Sequence, residues 1–469
     1  MISIGLIQLP HFYGKNSSRP PECYPLGLGY ISNALTESNI THAGIDLWGP
    51  QYSEEQALEQ IDFSQFNYLG ISAYATQYKY LKKFSLLLKK KYPEKPIICG
   101  GPGPTFSYAV ILKNTGVDVC VIGEGEIAII DLLKNFNELE KAKGIAYLKN
   151  GQVVCNSDRE PLKYLDSLNF PNRELFDLEK VILTANDVRA GSDMPALKNK
   201  PRRSADIIAG RGCPYQCNYC SKTFEGLRLR SIDNIIAEVI EIKNKYRINH
   251  LQFNDELVLV NRKRTLQLCE QLKKLDIAWS CQGRIDQVDQ SILIAMKEAG
   301  CIQVGYGVES VSQSILDNMN KKIKAENIVP VIKMTKEVGI EPIIQYMYGY
   351  RGENDDTIAA TVRFFKDIDH PYVGFTTTLI PGTNLYREGI QKGLIGDEEN
   401  YMLRLDSGYN LNGTLINMTD FSDEEFLRNK RLLMMRVNHN YYKKRPFEYS
   451  KYIVKALKGK LSRYLKKVN

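Results

Sequence analysis

Short β-rich runs and amphipathic helical patterns alternate along this chain in two separate series, and that alternation limits the fold more than any other feature of the sequence. In the first series the runs are ISIGLIQ (2–8), HAGIDLW (42–48), YLGISAY (68–74), PIICGG (96–101) and VDVCVIG (117–123). Helical patterns separate them; in YLKKFSLLLKKKY (80–92), Leu81, Phe84, Leu88 and Tyr92 fall on one face. Strands joined through helices predict a parallel, doubly wound Rossmann-like sheet with its ligand at the carboxyl ends of the strands.

The second series begins at ADIIAGRG (205–212) and continues through HLQFND (250–255), AWSCQGR (278–284), IQVGYGVES (302–310), PIIQYMYG (342–349) and YVGFTTTLIPG (372–382). Six β–α units are too few for an eight-stranded barrel and predict a partial one. Between the series, GIAYLKNGQVVCN predicts a hairpin turning at Asn150–Gly151, followed by a polar, proline-containing connection. The expected divisions are 1–138, a hairpin and linker over 139–200, a barrel over 201–390, and a mainly helical region over 391–469. No internal repeat or low-complexity tract interrupts them.

Three of the ten cysteines lie within RGCPYQCNYC (211–220). No apolar run nears the roughly 18 residues that span a bilayer, and the strand-like N-terminus has no basic leader segment. A cytoplasmic setting is therefore expected, and there stable disulfides are uncommon. Cys213, Cys217 and Cys220 then point to a metal site. Zinc in a structural site takes a fourth protein ligand, and no further Cys or His stands close by in sequence. Three thiolates can instead hold three irons of a 4Fe–4S cube and leave the fourth iron open. No cysteine follows Cys301, and Cys23, Cys99 and Cys120 lie singly, so one cluster is all that is expected.

The cysteine loop, with Tyr219 just before its last cysteine, resembles that of radical S-adenosylmethionine (SAM) enzymes, and the resemblance covers nearly residues 200 to 385. It implies that the open iron is chelated by the amino and carboxylate groups of SAM, which one electron cleaves to a 5′-deoxyadenosyl radical. It implies, further, that Asp255 and Glu256 accept from the methionine amine and that Arg284 meets the carboxylate. Glu309 and Ser310 of GVES would contact ribose and methionine. Met347, Gly349 and the loop Ile380–Pro381–Gly382 would frame the adenosine. Outside the resemblance, a carboxylate ending a strand can equally cap the next helix, and Arg284 can serve a structural ion pair.

Ahead of the barrel, YPLGLGYISNAL (24–35), GGPGPTF (100–106) and GEGE (123–126) resemble the cobalamin-binding domains fused to radical SAM enzymes. Gly100, Gly101 and Gly103, with Gly123, Glu124 and Gly125 one strand over, would let a wide flat ring approach the backbone. Ser72 and Thr76 would reach the nucleotide tail. The Asp-x-His-x-x-Gly motif that supplies a histidine to cobalt is missing, since His11 in LPHFYGKNSS is out of pattern. The fused enzymes commonly lack that histidine, so cobalamin without a histidine lower ligand is expected.

Together these resemblances imply methyl transfer to an unactivated centre of a small-molecule or lipid-type substrate, by way of methylcobalamin and the 5′-deoxyadenosyl radical. Enzymes with the same two domains also form or rearrange rings, and a non-catalytic cobalamin or iron–sulfur sensor is the alternative of another class. An electron donor such as flavodoxin or ferredoxin is the expected partner. Residues 441–469 carry ten Lys or Arg against one acid, leaving the rest of the chain at −1 of the overall +8. The body is therefore not expected to bind nucleic acid. The tail KYIVKALKGKLSRYLKKVN reads as a basic amphipathic helix, a pattern that serves peripheral contact with an anionic membrane face or packing against the barrel.

Overall fold

The computed structural model describes residues 2–10, 23–189, 202–224, 226–372, 374–408, 415–447 and 450. The first series forms strands β1 (Ser3–Gln8), β2 (Thr41–Asp46), β3 (Tyr68–Ser72), β4 (Ile97–Gly100) and β5 (Val119–Val121), all parallel, in the order β2-β1-β3-β4-β5. Helices Leu26–Glu37, Glu54–Gln60, Tyr78–Lys91, Pro102–Asn114 and Gly125–Lys134 link and follow them. Order reverses between β1 and β3, and such a switch point opens a crevice at the carboxyl ends of the strands.

The hairpin turns where the sequence places it. β6 (Ile145–Lys149) and β7 (Gln152–Cys155) pair antiparallel around Asn150 (φ 54°) and Gly151 (φ 77°), the left-handed pair a tight type I′ turn requires. Rather than standing in a linker, the hairpin extends the first sheet, because β6 pairs antiparallel with β5.

The second series gives a six-stranded, all-parallel sheet in strictly consecutive order: β8 (Ser204–Ile207), β11 (His250–Phe253), β12 (Ala278–Gly283), β13 (Cys301–Glu309), β14 (Glu341–Tyr348) and β15 (Gly374–Thr376). This is the expected partial (β/α)6 barrel. Two details differ from the sequence reading. The strand expected over 372–382 is only three residues long, and the run 205–212 splits. Gly210–Gly212 leaves the barrel as β9 and pairs antiparallel with β10 (Leu227–Leu229). The cysteine loop is therefore clasped at its base by a two-stranded ribbon.

The C-terminal region is helical, as expected, and it touches both halves. Helix Glu398–Gly408 packs on Tyr78–Lys91, with Glu399 accepting from the Tyr78 hydroxyl at 3.3 Å. Helix Asp423–Tyr442 covers Asp355–Asp367, and its Phe426 carbonyl accepts from the Tyr348 hydroxyl at 2.9 Å. Each apolar core cluster takes residues from both series, one joining Ile4 and Val119 to Ile207 and Tyr306, the other joining Ile71 and Phe84 to Leu379 and Tyr350. Between the sheets, Glu238 is fully buried and accepts from Arg173 at 2.7 Å and Arg230 at 2.6 Å. Among the described residues no helix is long and apolar enough to cross a membrane. The basic tail and His11 lie outside the described residues.

Candidate functional site

A cavity of about 500 Å³ lies between the carboxyl ends of the two sheets. Gln8, Ser72, Gly100 and Gly123 approach from the first sheet, at its switch point, while Ile208 and Glu256 approach from the barrel mouth and Phe224 from the cysteine loop. The sequence reading treats two ligand sites separately; the fold makes them walls of one chamber.

The glycines on the first wall serve two different ends. A Cβ on Gly123 (φ 74°) would meet nothing within 4 Å, and one on Gly100 only Val121 at 3.9 Å, so these two leave open space for a ligand. Gly101, Gly103 and Gly125 instead allow close packing: an added Cβ would fall 3.1 and 2.7 Å from the Ala73 carbonyl oxygen and 2.8 Å from Ile31 Cδ1. Gly103 and Thr76 do not line the chamber, whereas Gln77 does. The Gln77 amide donates to the carbonyls of Leu9 and Pro10, both at 3.1 Å, bracing the loop that leaves β1.

Glu124, expected at the cofactor, lines the chamber with its carboxylate already engaged. It accepts from Arg211 at 2.7 Å, from Arg228 at 2.9 Å and from the Leu162 N–H at 2.8 Å, and these partners hold it below the usual carboxylate range against the opposing effect of burial.

On the opposite side Gly212, Thr223 and Phe224 of the cysteine loop reach the chamber, and the three thiols, which do not line it, lie near one another in that loop. Burial raises Cys213 and pushes Cys220 up to about 11, with Glu256 and the neighbouring cysteines adding to both shifts. A thiol there becomes a thiolate when a metal cation takes the proton's place. Among the described residues no three such side chains converge on a single-ion site. A cube does not require that, because each thiolate takes its own iron. The donor set fits a cluster, and the open wall at Gly100 and Gly123 fits a flat macrocycle.

Two contacts grip the cysteine loop from the barrel side. The Arg284 guanidinium lies 3.5 Å from the centre of the Tyr215 ring and donates to Asp286 at 2.9 Å and to the Lys321 carbonyl at 3.0 Å. Arg284, expected at the methionine carboxylate, thus has an acid of its own chain. Behind Cys220, Glu309 accepts from the Tyr219 hydroxyl at 3.2 Å and from Lys321 at 3.3 Å, and Lys321 donates to Tyr219 at 2.9 Å. Gly307 makes this fit possible: a Cβ there would lie 2.7 Å from Glu309 Oε1. Lys321 escapes sequence reasoning because NKKIK reads as a solvated charge run.

Asp255 is buried and accepts from the Ala209 N–H at 2.7 Å, with burial pushing it up to about 7; it braces the departure of β9 from the barrel. Glu256 faces the cysteines, and burial raises it too. Ser310 is buried and accepts from the Ser312 N–H at 3.2 Å. Gly349 lies under Phe426, where a Cβ would clash at 2.4 Å, so the C-terminal helix covers it. Met347 is partly buried and Pro381 is buried. Beside Pro381, Gly382 (φ 91°) packs on the Phe106 ring, so the IPG and GGPGPTF motifs meet directly.

A cysteine loop at the mouth of a partial barrel thus faces a Rossmann-like sheet across one chamber. The radical SAM superfamily model matches residues 207–365 and a B12-binding domain model matches residues 16–133. The chain thus carries a radical SAM domain and a B12-binding domain, and its cofactors are a 4Fe–4S cluster, SAM and cobalamin. It is 27% identical over 381 residues to an uncharacterized methyltransferase of Pyrococcus horikoshii, covering 79% of each chain. It is 24% identical to an anaerobic magnesium-protoporphyrin IX monomethyl ester cyclase of Rubrivivax gelatinosus, over 84% of this chain and 71% of that one. Its fold is similar to that of the radical SAM methyltransferase TsrM from Kitasatospora setae, with a TM-score of 0.66 at 16% identity over 84% of this chain and 76% of the other.

Proposed function

We propose that the protein transfers a methyl group to an unactivated centre of a small molecule or lipid-type substrate. The observation that carries this reading is the one chamber walled by Gly100 and Gly123 on one side and, on the other, by Gly212, Thr223 and Phe224, which flank the three cysteines of the loop. When bound, SAM at the cluster supplies a radical that takes a hydrogen atom, and cobalamin supplies the methyl group. The chain's own residues do the rest. Cys213, Cys217 and Cys220 hold three irons and leave the fourth for SAM. The Arg284–Tyr215 stack and the Tyr219–Glu309–Lys321 triad keep the loop from shifting. Glu256, near the cysteines, would accept from the methionine amine. The apolar wall of Leu6, Leu9, Ile71, Ile98 and Ile129 keeps water away from the reacting carbon. A one-electron donor of the flavodoxin or ferredoxin kind completes the system.

The test is to purify the protein without oxygen from cells given cobalamin, confirm iron and sulfide near four per chain, and add SAM, a reductant and a cell extract as the source of acceptor. Methyl transfer predicts both S-adenosylhomocysteine and 5′-deoxyadenosine, with methyl label from SAM in a new small molecule. The deoxyadenosine alone would replace methylation with a ring-forming or rearranging reaction, the reading that similarity to a cyclase keeps in view. Protein that takes up the cluster but no cobalamin would end the two-cofactor reading.

A further inference from the structure

Two arginines and two glutamates form a buried ion cluster at the chamber, of which Arg211, Glu124 and Glu126 line it and Arg228 stands behind. Arg211 spans it, donating to Glu124 at 2.7 Å and to Glu126 at 2.5 Å, while Arg228 donates to Glu124 at 2.9 Å. All four side chains are at most 15% exposed.

Their places in the chain matter more than their number. Glu124 and Glu126 flank Gly125, and Glu124 directly follows Gly123, the open position on the first wall. Arg211 stands two residues before Cys213, and Arg228 is its partner across the ribbon that clasps the cysteine loop. The Arg211 guanidinium also lies between two rings, 5.4 Å from Tyr30 of the first domain and 5.3 Å from Phe224 of the cysteine loop.

An apolar contact tolerates sliding, because one methyl replaces another at little change in energy. A forked guanidinium between two carboxylates does not, since a shift of either loop leaves a charge unpaired away from water. Radical and methyl donor must meet the same carbon, and reactions of that kind are sensitive to displacements near 1 Å.

We propose that Arg211 is a positioning residue that sets the separation between the cluster and cobalamin. This rests on the reading that both cofactors bind, and the test tells the two apart.

Reduced cluster and cob(II)alamin each carry an unpaired electron, so their magnetic coupling in frozen solution reports the distance between them without any substrate. Fully loaded wild-type protein is expected to give one narrow distance. Glu126→Gln, which keeps the shape and removes a charge, and Arg211→Lys, which keeps the charge and removes the fork, are expected to shift or broaden it while both cofactors stay bound. If Glu126→Gln does not fold, Arg228→Lys loosens the same cluster from its more exposed side and should broaden the distance likewise. Loaded variants with the wild-type distribution would overturn the proposal, even if they melt earlier, because that outcome leaves Arg211 only a stabilising role. A wild type that binds one cofactor alone would overturn the two-cofactor reading instead.

Discussion

The ring of Phe106 lies so close to Gly382 that a Cβ on the glycine would fall 2.4 Å from Phe106 Cγ. One residue comes from the first domain and the other from the last loop of the barrel, so the contact ties the two together. Gly382→Ala adds a clash with a ring and an L-residue at φ 91°. The expected loss is about 2 to 4 kcal/mol in denaturant unfolding, with weaker cobalamin retention. An unchanged midpoint would show that the contact gives way freely.

Lys321 and Glu309 are 8% and 13% exposed and share the Tyr219 hydroxyl. Replacing Lys321 with Met leaves the carboxylate without its cation, which costs about 3 kcal/mol when one partner of a buried pair is removed. Iron content after reconstitution should fall as well, because Tyr219 stands next to Cys220. The double variant Lys321→Met, Glu309→Gln should recover part of the lost stability; strictly additive losses would show that the pair does not interact.

Glu353 is 4% exposed and has one hydrogen-bond donor, the Gly349 N–H at 2.6 Å, and burial pushes its carboxyl up from 4.5 to about 7. The folded state therefore holds this proton more tightly than the unfolded chain does. Its contribution is complete below pH 4.5 and is lost as the pH rises to about 7. Glu353→Gln should flatten the stability–pH curve across that window by about 3 kcal/mol. Parallel curves for wild type and variant would assign the decline to other groups.

Glu238 is the common anion of Arg173 and Arg230, and all three are buried. Glu238→Gln should leave two cations facing each other and lower stability by about 3 to 5 kcal/mol. The effect should be the same with and without cofactors, because none of the three lines the chamber. A loss seen only in the loaded protein would place the network in cofactor binding.

Hydrophobic periodicity and the cysteine spacing made both sheets, the hairpin and the cluster loop legible in the sequence. The ribbon of β9 and β10 was not, because GRG and LRL are too short to show alternation. Glycine-rich motifs marked the right loops but not the job of each residue: Gly123 faces open space, while Gly103 and Gly349 make room for protein atoms. Charged residues were the hardest to place. Glu124 and Arg284 read as ligand contacts through the motifs they resemble, and their partners Arg211 and Asp286 became visible only once the chain was folded.

The three ladder pairs between Gly210–Gly212 and Leu227–Leu229 hold the neck of the cysteine loop without any help from metal. A loop whose ends are already joined has little further entropy to lose when it wraps a cluster. Iron and sulfide can then leave and return while the surrounding protein keeps its shape, so a preparation bleached by air should regain its colour when ferrous iron and sulfide are added under reducing conditions, with no passage through the unfolded state.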